Sequence, residues 1–107
     1  MKMWIIGGTS EGVRLAKTLD PRTYIVSVVT EESLEFLPEE AEVHIGSMDK
    51  NGMVDFIKDH DICAVIDMSH PFAKIVSKEG RGAAEICAIP YYRHLRPLGE
   101  GGDILFK

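Results

Sequence analysis

The stretch Trp4-Ile5-Ile6-Gly7-Gly8-Thr9-Ser10-Glu11-Gly12 decides the fold, because it has the pattern of a strand that leads directly into a helix. The three residues before the glycines are apolar, as in a short buried strand. After the turn, apolar side chains recur at helical spacing up to Leu19, with Ser10 as the expected N-cap and Glu11 at the positive end of the helix. The stretch therefore predicts a strand–turn–helix unit at the start of the chain.

The same alternation of strands and helical segments continues along the chain. Further strands are predicted at residues 24–29, 42–45, 62–66 and 89–92, with one helix after Asp49 and another whose first residue is Pro71. Small residues on one side of that last helix, including Gly80 and Ala84, would let it lie close to a sheet. The pattern predicts an α/β protein with a Rossmann-like open parallel sheet of about five strands and helices on both faces.

The glycine turn is a candidate phosphate-binding site. Backbone N–H groups and the helix dipole attract an anion at such a turn, although Thr9 replaces the middle glycine of the G-x-G-x-x-G pattern. Thr30 and Glu31 follow the second predicted strand, and Glu31 lies 19 positions after Gly12, where an acid can accept from ribose hydroxyls and favour NADH over NADPH. The alternatives are a tight turn that requires glycine and a solvated acidic loop.

A second candidate site follows the fourth predicted strand, in the stretch Asp67-Met68-Ser69-His70-Pro71-Phe72-Ala73. It brings an acid, a hydroxyl and an imidazole to a strand–helix junction, and in open α/β sheets ligands bind at that edge. His70 could donate a proton or contact a ligand. The alternative is a histidine that only caps its own turn.

A basic segment, Arg93-His94-Leu95-Arg96-Pro97, leaves the last predicted strand at the same edge of the sheet. The guanidinium group of arginine binds carboxylates and phosphates through paired hydrogen bonds, so this segment suits a polycarboxylate or phosphate ligand. The alternative is a solvated loop.

Composition narrows the class of protein. The chain has 107 residues and a net charge of −5 with dispersed basic residues, which argues against a nucleic-acid-binding domain. No apolar run has the length of a membrane span or the form of a signal peptide, and the four histidines lack metal-site spacing. Cys63 and Cys87 are expected to be free thiols in a reducing compartment. These features predict a cytoplasmic protein without a metal, nucleic-acid or membrane partner.

Taken together, three motifs resemble those of the precorrin-6A reductases, a family that includes the cobalt-precorrin-6A reductases of cobalamin biosynthesis. The Gly-Gly-Thr-x-Glu turn corresponds to residues 7–11, the Asp-x-Thr/Ser-His-Pro-Phe-Ala motif to residues 67–73, and the arginine-rich segment ending in Arg-Pro to residues 93–97. The family is about twice as long. The resemblance therefore implies an N-terminal dinucleotide-binding-like domain at residues 1–98, with a linker and the start of a missing second domain at residues 99–107.

The resemblance also implies an activity, namely reduction of one double bond in a corrin-type, polycarboxylate tetrapyrrole. NADH or NADPH would supply hydride and an acid would supply a proton. The active site would lie between the two halves, so this chain alone is expected to be inactive. The implied cofactor-binding residues are Gly7, Gly8, Thr9, Ser10, Glu11, Thr30 and Glu31, the implied catalytic residues are Asp67, Ser69 and His70, and the implied substrate-binding residues are Arg93, His94 and Arg96. The alternative is a non-catalytic nucleotide- or anion-binding module, which would not need the arginine-rich segment.

Overall fold

A computed structural model describes residues 1–7, 9–29, 31, 37–69, 73–94 and 104–106. Within these ranges the strands are β1 (Lys2–Ile6), β2 (Tyr24–Val28), β3 (Glu42–Ile45), β4 (Ile62–Asp67), β5 (Tyr91–His94) and β6 (Ile104–Phe106). They form one sheet in the order β3-β2-β1-β4-β5-β6. Strands β1 to β5 are parallel, and β6 pairs with β5 in the antiparallel direction. The predicted parallel sheet of about five strands is confirmed.

Helices cover both faces of the sheet, as the sequence predicts. They are α1 (Ser10–Lys17), α2 (Lys50–Asp59) and α3 (Lys74–Ile86). One apolar cluster joins α1 to β1 and β2 through Ala16, Ile5 and Val26, and a second joins α2 and α3 to the opposite face through Phe56 and residues of β1 and β4. All five residues of β2 are buried, because both of its faces are covered. No helix in the described ranges is both long enough and apolar enough to span a membrane.

The strand order fixes where a ligand can approach. The chain moves outward from β1 to β2 and β3, then crosses back so that β4 pairs with the other side of β1. The carboxyl ends of β1 and β4 therefore meet at the point where the strand order reverses. Crevices at such points bind ligands in open α/β sheets.

Two predicted helix starts are wrong. The N-cap of α1 is Thr9, whose side chain accepts a hydrogen bond from the Gly12 N–H group, and Ser10 is the first helical residue. The helix after the fourth strand begins at Lys74 and not at Pro71, because Ala73 has a non-helical backbone with φ −81° and ψ 60°. A proline fixes its own φ but does not force the following residues into a helix. The predicted Asp49 cap of α2 is confirmed.

The end of the chain differs partly from expectation. The predicted fifth strand, residues 89–92, lies two residues later at Tyr91–His94. Residues 104–106, expected to begin a second domain, pair with β5 in this same sheet, while residues 99–103 and 107 lie outside the described residues. A short apolar run satisfies the open edge of β5, since an edge strand offers unpaired backbone groups. The domain division itself remains a prediction.

Candidate active site at the carboxyl edge of the sheet

Asp67, the last residue of β4, is fully buried and receives hydrogen bonds from four side chains and one backbone group. Its Oδ1 atom accepts from the Ser69 N–H group at 2.9 Å and from Ser69 Oγ at 2.5 Å. Its Oδ2 atom accepts from Ser77 Oγ at 2.6 Å, from Arg93 Nη1 at 2.9 Å and from the Tyr91 hydroxyl. We call these five residues the Asp67 network.

The charge of Asp67 follows from this environment. Burial raises the pKa of a carboxyl group, but the hydrogen bonds from Ser69, Ser77 and Tyr91 outweigh burial and hold the pKa of Asp67 below its ordinary value. The carboxylate therefore stays ionised at neutral pH. Burial, followed by the bond to Asp67, raises the pKa of Tyr91, so this phenol stays protonated and remains a donor.

Neighbouring strands explain why the network forms. Asp67 pairs with Arg93 in the register of β4 and β5. Tyr91 and Arg93 are two residues apart on β5, so their side chains leave the same face of the sheet. Ser77 is the fourth residue of α3, which packs over that face. An ionised carboxylate thus meets a cation whose side chain is only 19% exposed.

Replacing Tyr91 with Phe is expected to destabilise the protein by about 1.5–3 kcal/mol, the usual value of a hydrogen bond to a charged group. The matched control is Tyr24→Phe, because the Tyr24 hydroxyl is also buried but donates to the neutral Ala16 carbonyl oxygen at 3.0 Å. That control should lose about 1 kcal/mol. Urea denaturation of both variants measures the difference, and equal losses would contradict a charge-assisted bond at Tyr91.

The glycine turn is tied to β2 and to the end of β4. The Gly7 N–H group donates to the Ser27 carbonyl oxygen at 2.8 Å. Thr9 Oγ1 donates to the Met68 carbonyl oxygen at 2.5 Å while it accepts from Gly12. A Cβ atom at Gly12 would lie 3.3 Å from the Gly7 Cα atom, so the start of α1 lies directly against the turn. The Thr9 hydroxyl proton is therefore already used within the protein.

Gly7→Ala is expected to lower the free energy of unfolding by about 1–3 kcal/mol, the cost of overpacking. The added Cβ atom would lie 2.9 Å from Val26 Cγ1 and 3.2 Å from the Ser27 carbonyl oxygen. Gly82→Ala is the control, since its nearest neighbour, at 3.0 Å, is the flexible side chain of Lys50. Helix propensity should make that variant neutral or more stable, by up to about 1 kcal/mol. Thermal unfolding distinguishes them, and a neutral Gly7→Ala would contradict the close packing of the turn.

The structure brings some of the candidate residues together and not others. Asp67, Ser69 and Arg93 share the Asp67 network, and Thr9 contacts the segment that follows β4. Ser10 and Glu31 are exposed, Ser10 at the start of α1 and Glu31 after β2. His94 is the last residue of β5. The candidates Gly8, Thr30, His70 and Arg96 lie outside the described residues.

Sequence reasoning missed Ser77 and Tyr91 as members of the site. The signal available for Tyr91 was its place in the predicted strand at residues 89–92, two positions before Arg93. Ser77 carried a weaker signal, as a small polar residue on the side of the helix expected to approach the sheet. Neither signal identifies a partner without the strand order.

Known proteins are similar to this chain in sequence and in fold. The family described as "Precorrin-6x reductase CbiJ/CobK" matches residues 2–103. A cobalt-precorrin-6A reductase of Priestia megaterium is 41% identical over 95 residues, which cover 86% of this chain and 37% of that protein. A cobalt-precorrin-6A reductase of Synechocystis sp. is 32% identical over 99 residues, which cover 89% of this chain and 38% of that protein.

A solved structure titled "CobK precorrin-6A reductase" superposes with a TM-score of 0.78 at 26% identity, over 94% of this chain and 39% of that chain. The chain thus spans about two fifths of the length of the relatives it matches. Because the family match extends over nearly every residue and includes both the glycine turn and the Asp67 network, the chain belongs to the precorrin-6x reductase CbiJ/CobK family.

Proposed function

We propose that this chain supplies one α/β half of a nicotinamide-dependent reductase that acts on a CH–CH group of a corrin-type macrocycle, precorrin-6A or cobalt-precorrin-6A, in cobalamin biosynthesis. The observation that carries the proposal is the hydrogen bond from Thr9 of the glycine turn to Met68, which lies between Asp67 and Ser69 of the Asp67 network, where the strand order reverses. The names of the similar reductases of Priestia megaterium and Synechocystis sp. support the choice of reaction. The enzyme would work in the cytoplasm.

The cofactor would lie against the glycine turn, at residues 7–11. The residues present fit a pyrophosphate, because α1 begins at the turn with an extended Thr9 cap, and N–H groups of a first helical turn have no partner within the helix. When bound, the cofactor supplies hydride. Thr30 and Glu31 would lie near the adenosine ribose, where the charge of Glu31 favours NADH by repelling a 2′-phosphate.

The macrocycle would lie beside the Asp67 network. Ser69 and His70 would face the reacting carbons, and Arg93, His94 and Arg96 would hold substrate carboxylates. Asp67 fits the role of a positioning residue, because its carboxylate is fully buried and engages Ser69 twice. An ionised carboxylate at neutral pH has no proton to donate, so the proton would come from another group.

A second half-domain would complete the active site. We assign residues 1–98 to the first domain and residues 99–107 to a linker and the start of the second, in keeping with the greater length of the relatives. This chain alone would hold one wall of the cleft and would not turn over the macrocycle.

Saturation-transfer NMR with NADH and NADPH tests the cofactor assignment. The protein used is a longer enzyme that contains this chain together with a second half like that of its relatives. We expect contact with at least one of the two cofactors, and macrocycle-dependent loss of absorbance from the reduced nicotinamide. Contact with ADP but no turnover would favour a non-catalytic nucleotide-binding module. Absence of contact with either cofactor at millimolar concentration would contradict the proposal.

A further inference from the structure

A basic depression of about 320 Å³ lies between α3 and β5, on the face of the sheet opposite α1. We call it the α3–β5 pocket, and the described residues that line it are Lys74, Ser77, Lys78, Arg81, Tyr91 and Arg93. Four of these six residues are cationic and none is acidic, in a chain with a net charge of −5. The pocket is therefore positively charged, although the net charge of the whole protein is negative.

Helical spacing explains this concentration. Lys74, Lys78 and Arg81 follow one another at intervals of four and three residues, so they lie on one side of α3. The Arg81 guanidinium group sits 5.5 Å from the centre of the Tyr91 ring, which orients it at the pocket wall. Like charges at these intervals repel one another and destabilise a helix slightly, so an anion between them would relieve that repulsion.

The carboxylate that contacts the wall of the pocket is Asp67, which is fully buried and whose ion pair engages Nη1 of Arg93. Glu85 of α3 lies outside the pocket and lines a neighbouring depression that shares Arg81 and Tyr91 with it. In the part of the chain that the structure describes, no carboxylate forms an ion pair with Lys74, Lys78 or Arg81. Three cations thus line one concave surface without an ion-pair partner among the described residues.

We propose that the α3–β5 pocket binds an anionic oxygen group of a ligand, a carboxylate or a phosphate. The pocket is separate from the glycine turn, because β5 lies two strands away from β1, roughly 10 Å at normal strand spacing. A pyrophosphate held at the turn therefore does not fill it. Assignment of the anion to a carboxylate of the macrocycle, and not to a phosphate of the cofactor, rests on the proposed function. The existence of the anion site does not.

The test uses two small anions on the 107-residue chain labelled with ¹⁵N. Sodium tricarballylate and inorganic phosphate are titrated at constant ionic strength, and amide shifts along α3 and β5 are followed. Lys78→Gln/Arg81→Gln should raise the Kd of the bound anion about tenfold or more, since two charge-assisted contacts are lost. Lys17→Gln/Lys58→Gln is the matched control, because it removes the same charge from exposed positions on α1 and α2.

The outcomes separate the possibilities. Shifts confined to α3 and β5, weakened by the pocket variant and not by the control, support the site. Tighter binding of tricarballylate then assigns it to substrate carboxylates, and tighter binding of phosphate assigns it to the cofactor. Absence of shifts, or equal weakening by both double variants, overturns the proposal. If Arg81→Gln prevents folding, Lys74→Gln/Lys78→Gln replaces it, since both lysines are exposed. If the longer enzyme turns over the macrocycle but no anion binds in the α3–β5 pocket, this inference is overturned and the proposed function stands.

Discussion

Asp67→Asn is expected to lower the free energy of unfolding by about 3–5 kcal/mol, the cost of breaking a buried ion pair by removing one partner. An amide keeps one acceptor oxygen but adds an NH₂ group that can only donate. Ser77, Tyr91 and Arg93 all donate to this carboxylate. The two hydroxyl groups could turn to accept from the new NH₂ group, but the Arg93 guanidinium group can only donate and would face it without a hydrogen bond. Arg93, only 19% exposed, would lose its counter-ion.

Asp20→Asn is the matched control, since Asp20 also pairs with an arginine but at the surface. Asp20 Oδ2 lies 2.9 Å from Arg22 Nη2, and the two side chains are 44% and 89% exposed. Solvent screens such a pair, so only a small change is expected. Urea denaturation at pH 7 compares the two variants. Similar losses for both would show that burial of the Asp67 network adds nothing to the strength of its ion pair.

Urea denaturation of the native protein and Asp67→Asn at several pH values tests whether the ionised form of Asp67 is the stabilising one. Its pKa in the folded state lies below the ordinary value, so its contribution is complete above the unfolded pKa of about 3.9. The contribution is lost as pH falls through the folded pKa. The stability difference between the native protein and Asp67→Asn should therefore be constant near neutrality and shrink below about pH 4. A difference that grows on acidification would contradict an ionised Asp67.

The sheet was predictable from the sequence because its signals are local. The apolar run before Gly7, the β-branched segment at residues 24–28 and the Asp49 cap each occupy consecutive positions. Alternation of such segments implies parallel strands, since a parallel pair needs a crossover between its members. The end of β4 was expected at residue 66, where the apolar run stops, and the strand extends one residue further, to Asp67.

The site was less predictable because its contacts join distant parts of the chain. Asp67 binds a serine ten residues later and a tyrosine 24 residues later, and those pairings follow from strand order and helix placement. The role of Thr9 shows the same limit. Its position suggested a phosphate ligand, yet its hydroxyl donates to the Met68 carbonyl oxygen, 59 residues away. Local pattern located the residues, and tertiary structure determined their partners.

The Asp67 network changes how the candidate catalytic residues are understood. Ser69 is held by Asp67 through both its backbone and its hydroxyl, so the segment after β4 is fixed where it leaves the sheet. The Thr9 bond to Met68 fixes the same segment from the other side. The two anchors hold the first residues of the motif at residues 67–73 in one position, which is the preorganisation that a reacting group needs.

Arg93→Met is expected to cost about 3–5 kcal/mol as well, because it leaves the Asp67 carboxylate buried without a cation. The double variant Asp67→Asn/Arg93→Met should be more stable than the sum of the two single losses implies, since neither group is then left as an unpaired charge. Urea denaturation of all four proteins gives the coupling free energy between the two residues. Additive losses would show that the two side chains act independently.

The same four proteins, the native one and the three variants, separate two roles of Arg93 when they are made in a longer enzyme that also contains a second half like that of the relatives. If Arg93 only neutralises Asp67, the double variant should recover both stability and the KM for the macrocycle. If Arg93 also binds a substrate carboxylate, as we propose, stability should recover while KM stays raised, because Met cannot form a charge-assisted bond. A loss of about 1.5–3 kcal/mol in substrate binding corresponds to a KM raised roughly 10- to 150-fold where KM reports binding. Recovery of KM together with stability would make Arg93 a positioning residue alone and leave substrate recognition to the other cations at this edge of the sheet.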